Sequence, residues 1–98
     1  MVSKFDTSRH QEVRADYDRG VDVLYIFLGS IMPVEGDGLP RGVELDWALD
    51  DGRPCGVTVV GFEKNGWPEN TDELAHIAAA HLSLPDFLVA QTIKTAIR

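Results

Sequence analysis

The sequence has only one cysteine, Cys55, among its 98 residues. A single thiol excludes an internal disulfide, and it excludes the metal sites that need several thiolates. Long apolar runs are missing too: the longest, Val23 to Leu28, is far shorter than the ~20 residues of a membrane-spanning helix. The first residues also lack the basic and then apolar pattern of a secretion signal. These features predict a protein of the reducing cytoplasm.

Positive charge is scarce as well. Nine lysine and arginine residues stand against 16 aspartate and glutamate residues, for a formal net charge of -7. A nucleic-acid backbone would be repelled by such a chain unless the few basic residues clustered. The acidic excess therefore has two interpretations: it keeps a small domain soluble, or it forms a surface complementary to a basic protein partner.

The patterns along the chain predict one α+β domain, an antiparallel β-meander of four to five strands followed by two C-terminal helices. A chain of 98 residues suits one modest core. The meander is expected over about residues 12–63 and the helical hairpin over about residues 71–97. Residues 1–11 are polar without a period, and they are expected to form a loose N-terminal arm.

Two kinds of strand are predicted. Glu12 to Asp18 and Val43 to Trp47 alternate apolar with polar residues, as half-buried strands do, whereas Asp22 to Leu28 is apolar on both faces. The latter pattern predicts a central strand with cover on both sides, one of which a second subunit could supply. A short strand around Ile31 to Glu35 and a returning strand over Gly56 to Phe62 complete the sheet.

Three blocks of these strands resemble a known family, the domain of unknown function family 2283: Asp22 to Leu28, Gly42 to Asp46, and Gly52 to Thr58. The motif positions are Asp22, Tyr25, Gly42, Asp46, Gly52 and Gly56. The chain departs from the family pattern at Thr58, where an acidic residue is usual. The resemblance implies a short meander without an established activity. Some members are encoded beside small toxin-like proteins, so it also implies an antitoxin-like role.

An acidic hairpin is the main candidate binding surface. Its residues Glu44, Asp46, Asp50 and Asp51 fail the calcium-loop pattern, which needs carboxylates at alternate positions and a glycine at the sixth. They form a solvated face that discourages edge association, or a surface that binds a basic partner. The enzyme alternative is a small hydrolase that uses Asp22, Asp46 or this hairpin, and it requires these carboxylates to converge in one pocket.

Other chemistry-bearing residues have structural interpretations. Asp22 is expected to cap the turn before its strand, and Tyr25 to be a core ring with its hydroxyl at the rim. His76 and His81 are five residues apart, so they do not share a helix face as a metal-binding pair would. Cys55 is expected to be a buried packing residue. The sequence therefore predicts no catalytic residue, no metal and no cofactor.

Two apolar stripes predict the C-terminal helices. The first consists of Leu74, Ile77, Ala78, His81 and Leu82, and the second of Val89, Ala90, Ile93, Ala96 and Ile97. The pair is spaced like a helix-turn-helix, which makes a DNA-binding regulator a further alternative. The exposed side of the second helix offers only two bases, Lys94 and Arg98, so a packed helical hairpin is favoured.

Taken together, these patterns favour a non-catalytic protein-interaction module that forms a homodimer and binds a protein partner. An antitoxin-like protein that binds a basic toxin is the concrete form of this hypothesis. Nucleic acid and membrane are not expected partners. The hydrolase and the helix-turn-helix regulator stay open as alternatives.

Overall fold

The computed structural model describes residues 12–98, which form a five-stranded antiparallel sheet with two helices after it. The strands are β1 (Val13–Asp18), β2 (Val23–Leu28), β3 (Val34–Gly38), β4 (Val43–Ala48) and β5 (Pro54–Val60), and the helices are α1 (Thr71–Leu82) and α2 (Asp86–Ala96). The predicted α+β class is confirmed. The N-terminal arm predicted for residues 1–11 lies outside the described residues. Neither α1 nor α2 has the length and apolar character needed to cross a bilayer.

The strand order in the sheet is β1-β2-β5-β4-β3. A hairpin joins β1 to β2, and β3, β4 and β5 form a meander. The last strand therefore lies in the middle, where it pairs with β2 on one side and with β4 on the other. The chain reaches β3, the far edge of the sheet, through residues 29–33.

Both helices pack on one face of the sheet, and the core lies between the two layers. Alternation along the strands places Leu24 and Ile26 of β2 and Val57 and Val59 of β5 on this face, where all four are buried. The helices contribute Leu74, Ala78, Val89 and Ile93. Burying such a side chain contributes about 1.5–3 kcal/mol, so this one layer of contacts holds the helices to the sheet.

A tryptophan secures the loop between sheet and helices. Trp67 is buried, and its indole N–H donates a hydrogen bond to the carbonyl of Arg41 at 2.9 Å. The Arg41 guanidinium lies 3.8 Å from the centre of the same ring, a cation–π contact. Both contacts join the β3–β4 connection to the segment before α1.

The helix ends differ in part from expectation. Asn70 precedes α1, but its side chain does not cap the helix; the Asn70 amide donates to the carbonyl of Gly66 at 3.0 Å instead. Ser83 ends α1 in the left-handed region at φ 59°, and its backbone N–H donates to the carbonyl of Ala79. Pro85 lies immediately before α2, at its N-cap position.

The strand expected around Ile31 to Glu35 begins later, at Val34, and continues to Gly38. Pro33 has no backbone N–H to donate, which delays the start of the strand. The strand therefore includes Gly36 to Gly38, which pair with Asp46, Leu45 and Glu44 of β4.

Candidate functional site

The sheet face opposite the helices carries most of the chemistry. The strand register places its residues in two rows that run across the sheet. The first row is Arg14, Phe27, Gly56, Asp46 and Gly36, and the second is Asp16, Tyr25, Thr58, Glu44 and Gly38. We call these ten residues the open face, because neither helix packs on it.

Asp46 is the unusual member of the open face. It is only 5% exposed and is the one charged residue among the buried residues between 12 and 98. Its Oδ2 accepts a hydrogen bond from the Thr58 hydroxyl at 2.7 Å, whereas its Oδ1 has no partner among the described residues. A buried carboxylate with one free oxygen is costly, because removal from water is compensated only by hydrogen bonds or a counter-ion.

Two glycines leave the room that the carboxyl groups occupy. A Cβ atom at Gly56 would lie 3.6 Å from Asp46 Oδ2 and only 2.7 Å from the carbonyl oxygen of Ile26. A Cβ atom at Gly36 would overlap the carboxyl group of Glu44. The Asp46 carboxylate therefore lies next to Gly56 of β5, and the Glu44 carboxyl group lies over Gly36 of β3, where a larger residue would place its side chain.

Glu44 and Asp46 form a pair of carboxyl groups. When protonated, the Glu44 carboxyl can donate a hydrogen bond to Asp46; this bond, burial and the charge of Asp46 all raise the pKa of Glu44. Within residues 12–98, no lysine or arginine nitrogen lies within 4.0 Å of either carboxyl group. The pair is thus built to share a proton or a cation.

A pocket of about 160 Å³ opens beside this pair. Its walls are mostly apolar and come from β2, from the segment between β2 and β3, and from β5. The lining includes Tyr25, Phe27, Met32, Val34, Asp46, Cys55, Gly56 and Thr58. An apolar pocket with one convergent polar group is the usual form of a site for a small group.

The structure divides the predicted acidic hairpin into two parts. Glu44 and Asp46 lie on the open face, whereas Asp50 and Asp51 lie in the β4–β5 turn and bind Arg53. The Arg53 guanidinium donates to Asp51 at 2.6 Å and to Asp50 at 3.3 Å. The turn carboxylates therefore have a counter-ion of their own, and the unpaired negative charge of the hairpin is on the open face.

The contacts of Asp22 are structural hydrogen bonds to other parts of the chain. Its carboxylate accepts hydrogen bonds from the Tyr17 hydroxyl at 2.6 Å, from the Glu63 N–H at 2.8 Å and from the Lys64 N–H at 3.1 Å. The turn that it caps is the one after β5. The hydrogen bonds from Tyr17 and Glu63 lower the pKa of Asp22, and the same contact raises the pKa of Tyr17 to about 12.

Asp22 does not converge with the other carboxylates named in the hydrolase hypothesis. Asp46 lies in the same row as Phe27, five residues beyond Asp22, a separation of about 16 Å at the rise of a strand. The expectation for Tyr25 is wrong, because Leu24 and Ile26 take the core positions of β2 and leave the Tyr25 ring 37% exposed on the open face.

The remaining motif glycines shape turns. Gly42 and Gly52 have positive φ angles of 80° and 74°, before β4 and in the β4–β5 turn. A Cβ atom at Gly42 would overlap the carbonyl oxygen of Val60, so this position needs glycine for space as well as for its backbone angle.

The histidines and the cysteine have structural positions. His81 is partly buried, as predicted, and its Nε2 donates to the carbonyl of Asp46 at 2.9 Å. His76 is exposed, with Nδ1 2.7 Å from Asp86. Cys55 is buried, and burial raises the pKa of its thiol. In the described part of the chain, no three histidine, cysteine, aspartate or glutamate side chains are grouped to hold a metal ion.

A second, shallower groove of about 670 Å³ lies between β1 and α2. Arg14, Asp16, Gln91 and Thr95 are among its lining residues. On α2 itself, the Lys94 ammonium lies 3.6 Å from Asp72, which partly neutralises one of the two bases of the helix-turn-helix hypothesis. The groove carries no buried polar atom without a partner, which distinguishes it from the pocket at Asp46.

Two residues of the site were missed from the sequence. Thr58 entered only as a departure from a family pattern, yet its hydroxyl donates a hydrogen bond to the Asp46 carboxylate. Gly36 was not identified as a site residue, yet it makes room for Glu44. A possible signal was the set of small residues at 36, 56 and 58, because they leave space above a sheet that is otherwise rich in large side chains.

Comparison of the chain with protein-family models, with curated proteins and with solved structures found no match. The resemblance to the domain of unknown function family 2283 therefore stays a prediction. The function has to be argued from the geometry of the open face.

Proposed function

We propose that this chain is a non-catalytic protein-interaction module whose open face binds a basic protein partner. The observation that carries the proposal is the Glu44–Asp46 pair. It lies on the side of the sheet that the helices leave uncovered, and Asp46 Oδ1 has no partner among the described residues. A buried carboxylate without a counter-ion is stabilised by a cation brought to it, and such complementarity selects partners of opposite charge.

The surroundings of the pair support binding to a protein. Tyr25 and Val34 are 37% and 39% exposed, and they line the pocket together with Phe27. Asp16 lies directly beside Tyr25 in the sheet register and adds negative charge next to these apolar groups. Protein interfaces commonly combine an apolar, aromatic centre with a polar rim, and this face has the same composition.

An antitoxin-like protein that neutralises a basic toxin is the concrete form of this proposal. Its support is the net charge of -7 together with the acidic open face. The predicted family relation points in the same direction. The proposal requires no reaction, which agrees with the separation of Asp22 from Asp46.

We also propose that the chain forms a homodimer through a different surface. A twofold contact between two open faces would oppose like charges around Glu44. Ile31 and Leu49, 72% and 61% exposed, instead belong to an apolar patch with Met32 and Pro33, which has Asp50 at its edge and adjoins the pocket on the open face. Light scattering at tens of micromolar should give twice the mass of one chain, and Leu49→Ser should shift it toward one chain. A wild-type mass of one chain would refute the dimer.

The test of the partner proposal is capture from the native host with purified, tagged protein. Wild type should retain a stoichiometric basic protein at low salt, identified by mass spectrometry. Glu44→Lys on the open face should lose it. Glu69→Lys is the control, because it makes the same change of charge at an exposed glutamate in the turn before α1. Recovery of no stoichiometric partner, or equal loss in both variants, would refute the proposal.

A further inference from the structure

We propose that the pocket beside Asp46 receives a single lysine side chain of the partner, with its ammonium group at the Asp46 carboxylate. This inference rests on the interaction role proposed above and names the chemical group that the open face recognises. It is argued from the size of the pocket, its walls, its one unpartnered atom and the positions of the chain's own cations.

The size of the pocket fits one side chain. Its volume is about 160 Å³. An engineered protein cavity of roughly 150 Å³ is known to hold one benzene molecule. A group of about that size, such as the four-carbon stem of a lysine with its ammonium group, fills such a space. A polymer segment or a nucleotide does not fit.

The walls of the pocket match the two ends of a lysine side chain. Phe27, Met32 and Val34 provide apolar surface for the stem, which lysine commonly buries while its charged end remains polar. Tyr25 and Phe27 also place aromatic rings at the pocket, and such rings attract cations within about 6 Å. A neutral apolar group would use these walls but would leave the Asp46 carboxylate uncompensated.

The unpartnered atom favours ammonium over guanidinium. Asp46 is 5% exposed and lines the pocket, and Oδ2 already accepts the Thr58 hydroxyl at 2.7 Å. One oxygen, Oδ1, therefore remains, with the Glu44 carboxyl as a second acceptor nearby. An ammonium group is a compact charge with three donors, whereas the arginine fork binds best to two free oxygens of one carboxylate.

The cations of the described chain do not reach this position. Arg14 lies in the same row as Asp46 but is separated from it by β2 and β5, about 14 Å at the spacing of strands. Its guanidinium is 3.5 Å from Glu12. Arg53 contacts Asp50, Asp51 and the sulfur of Met32. Among residues 12–98, therefore, no lysine or arginine nitrogen lies at the Asp46 carboxylate.

The test uses n-butylammonium chloride, which reproduces the end of a lysine side chain, and follows the backbone amides of the full chain by NMR. For a ligand of five heavy atoms we expect a Kd of about 1–10 mM. Saturable shifts are expected at Gly56 and Thr58. n-Butanol, with a similar stem but no charge, should shift the same amides at least about tenfold more weakly.

Two variants keep the test specific. Asp46→Asn keeps the size of the side chain and should weaken n-butylammonium binding at least about tenfold. Asp16→Asn removes the same charge from the same face, outside the pocket lining, and should change the Kd by less than about twofold. Val34→Trp, on the exposed rim, should block the pocket without altering either carboxyl group, and it serves if Asp46→Asn fails to fold.

The outcomes separate this inference from the proposed function. It is overturned if no saturable shift appears at Gly56 or Thr58, if n-butanol binds equally well, or if calcium chloride binds the same site more tightly than n-butylammonium. If the capture experiment still recovers a basic partner that depends on Glu44, the open face binds that partner without this pocket. If n-butylammonium binds but no partner is captured, the pocket is confirmed and the partner proposal fails.

Discussion

Replacement of Asp22 tests the reasoning about the fold most directly, because one carboxylate joins three parts of the chain. It accepts hydrogen bonds from Tyr17, Glu63 and Lys64 at 2.6, 2.8 and 3.1 Å. A hydrogen bond of this kind contributes a net ~1 kcal/mol. Asp22→Gly removes all three hydrogen bonds and suits the φ of 58°, so it should lower the free energy of unfolding by about 2–3 kcal/mol.

Two further substitutions separate the hydrogen bonds from the backbone. Asp22→Ala should lose about 1 kcal/mol more than Asp22→Gly, because a side chain without local hydrogen bonds is strained in the left-handed region. Asp22→Asn tolerates this region and keeps one acceptor oxygen, so it should lose only about 1 kcal/mol. Asp18→Ala is the matched control, since Asp18 is exposed and accepts one hydrogen bond, from the Gly20 N–H at 3.0 Å.

The assay is urea unfolding followed by tryptophan fluorescence, together with a titration of Tyr17 by ultraviolet absorbance. The pKa of Tyr17 is raised from 10.0 to about 12, first by its hydrogen bond to Asp22. The folded state holds the Tyr17 hydroxyl proton more tightly than the unfolded state does. The stabilising contribution of this group is therefore present below pH 10 and is lost as pH rises toward about 12. Asp22→Gly should remove this loss. An unchanged Tyr17 titration, or a stability within about 0.5 kcal/mol of wild type, would refute the reasoning.

Four further substitutions test the open face and the core, each by urea unfolding. The raised pKa of Glu44 means that its stabilising contribution is present below its ordinary value of 4.5 and is lost as pH rises through the raised value. The free energy of unfolding of Glu44→Gln should therefore match that of wild type near pH 4 and exceed it at pH 7. The same difference at both pH values would contradict this. Gly56→Ala should lower the free energy of unfolding by about 1–3 kcal/mol, because its methyl would lie 2.7 Å from a backbone oxygen. Gly36→Ala should lower it by less, because the new methyl displaces only the flexible Glu44 side chain. Ile93→Ala should lose about 2–5 kcal/mol, because Ile93 is fully buried in the core; a loss under 1 kcal/mol would place it outside the core.

Local patterns predicted the elements of the fold well. The alternation of Val13, Ala15 and Tyr17 identified the face of β1 that packs on the core, and the stripe through Leu74 and Ala78 identified the buried side of α1. Each of these patterns lies within one strand or helix and follows the periodicity of that element, so neighbouring residues are enough to predict it. The strand order could not be predicted in the same way, because an apolar strand such as β5 can be a central strand or a covered edge strand.

The candidate site was predicted only in part. Glu44 and Asp46 were identified as acidic residues on one strand face, but the burial of Asp46 depends on the segment 29–33, which contributes to the pocket beside it. No periodicity encodes that contact. Tyr25 was misplaced for a related reason: a strand that is apolar on both faces does not tell which side the helices will take.

The central position of β5 has a consequence for how the chain reaches its final state. The β1–β2 hairpin and the β3–β4–β5 meander can each form from neighbouring residues. The sheet becomes continuous only when β2 pairs with β5, as Ile26 does with Val57. Until that closure occurs, the inner edge of β2 offers an unpaired apolar strand to other molecules. We therefore expect the joining of these two units to limit the folding rate, and we expect aggregation to compete at that step during synthesis.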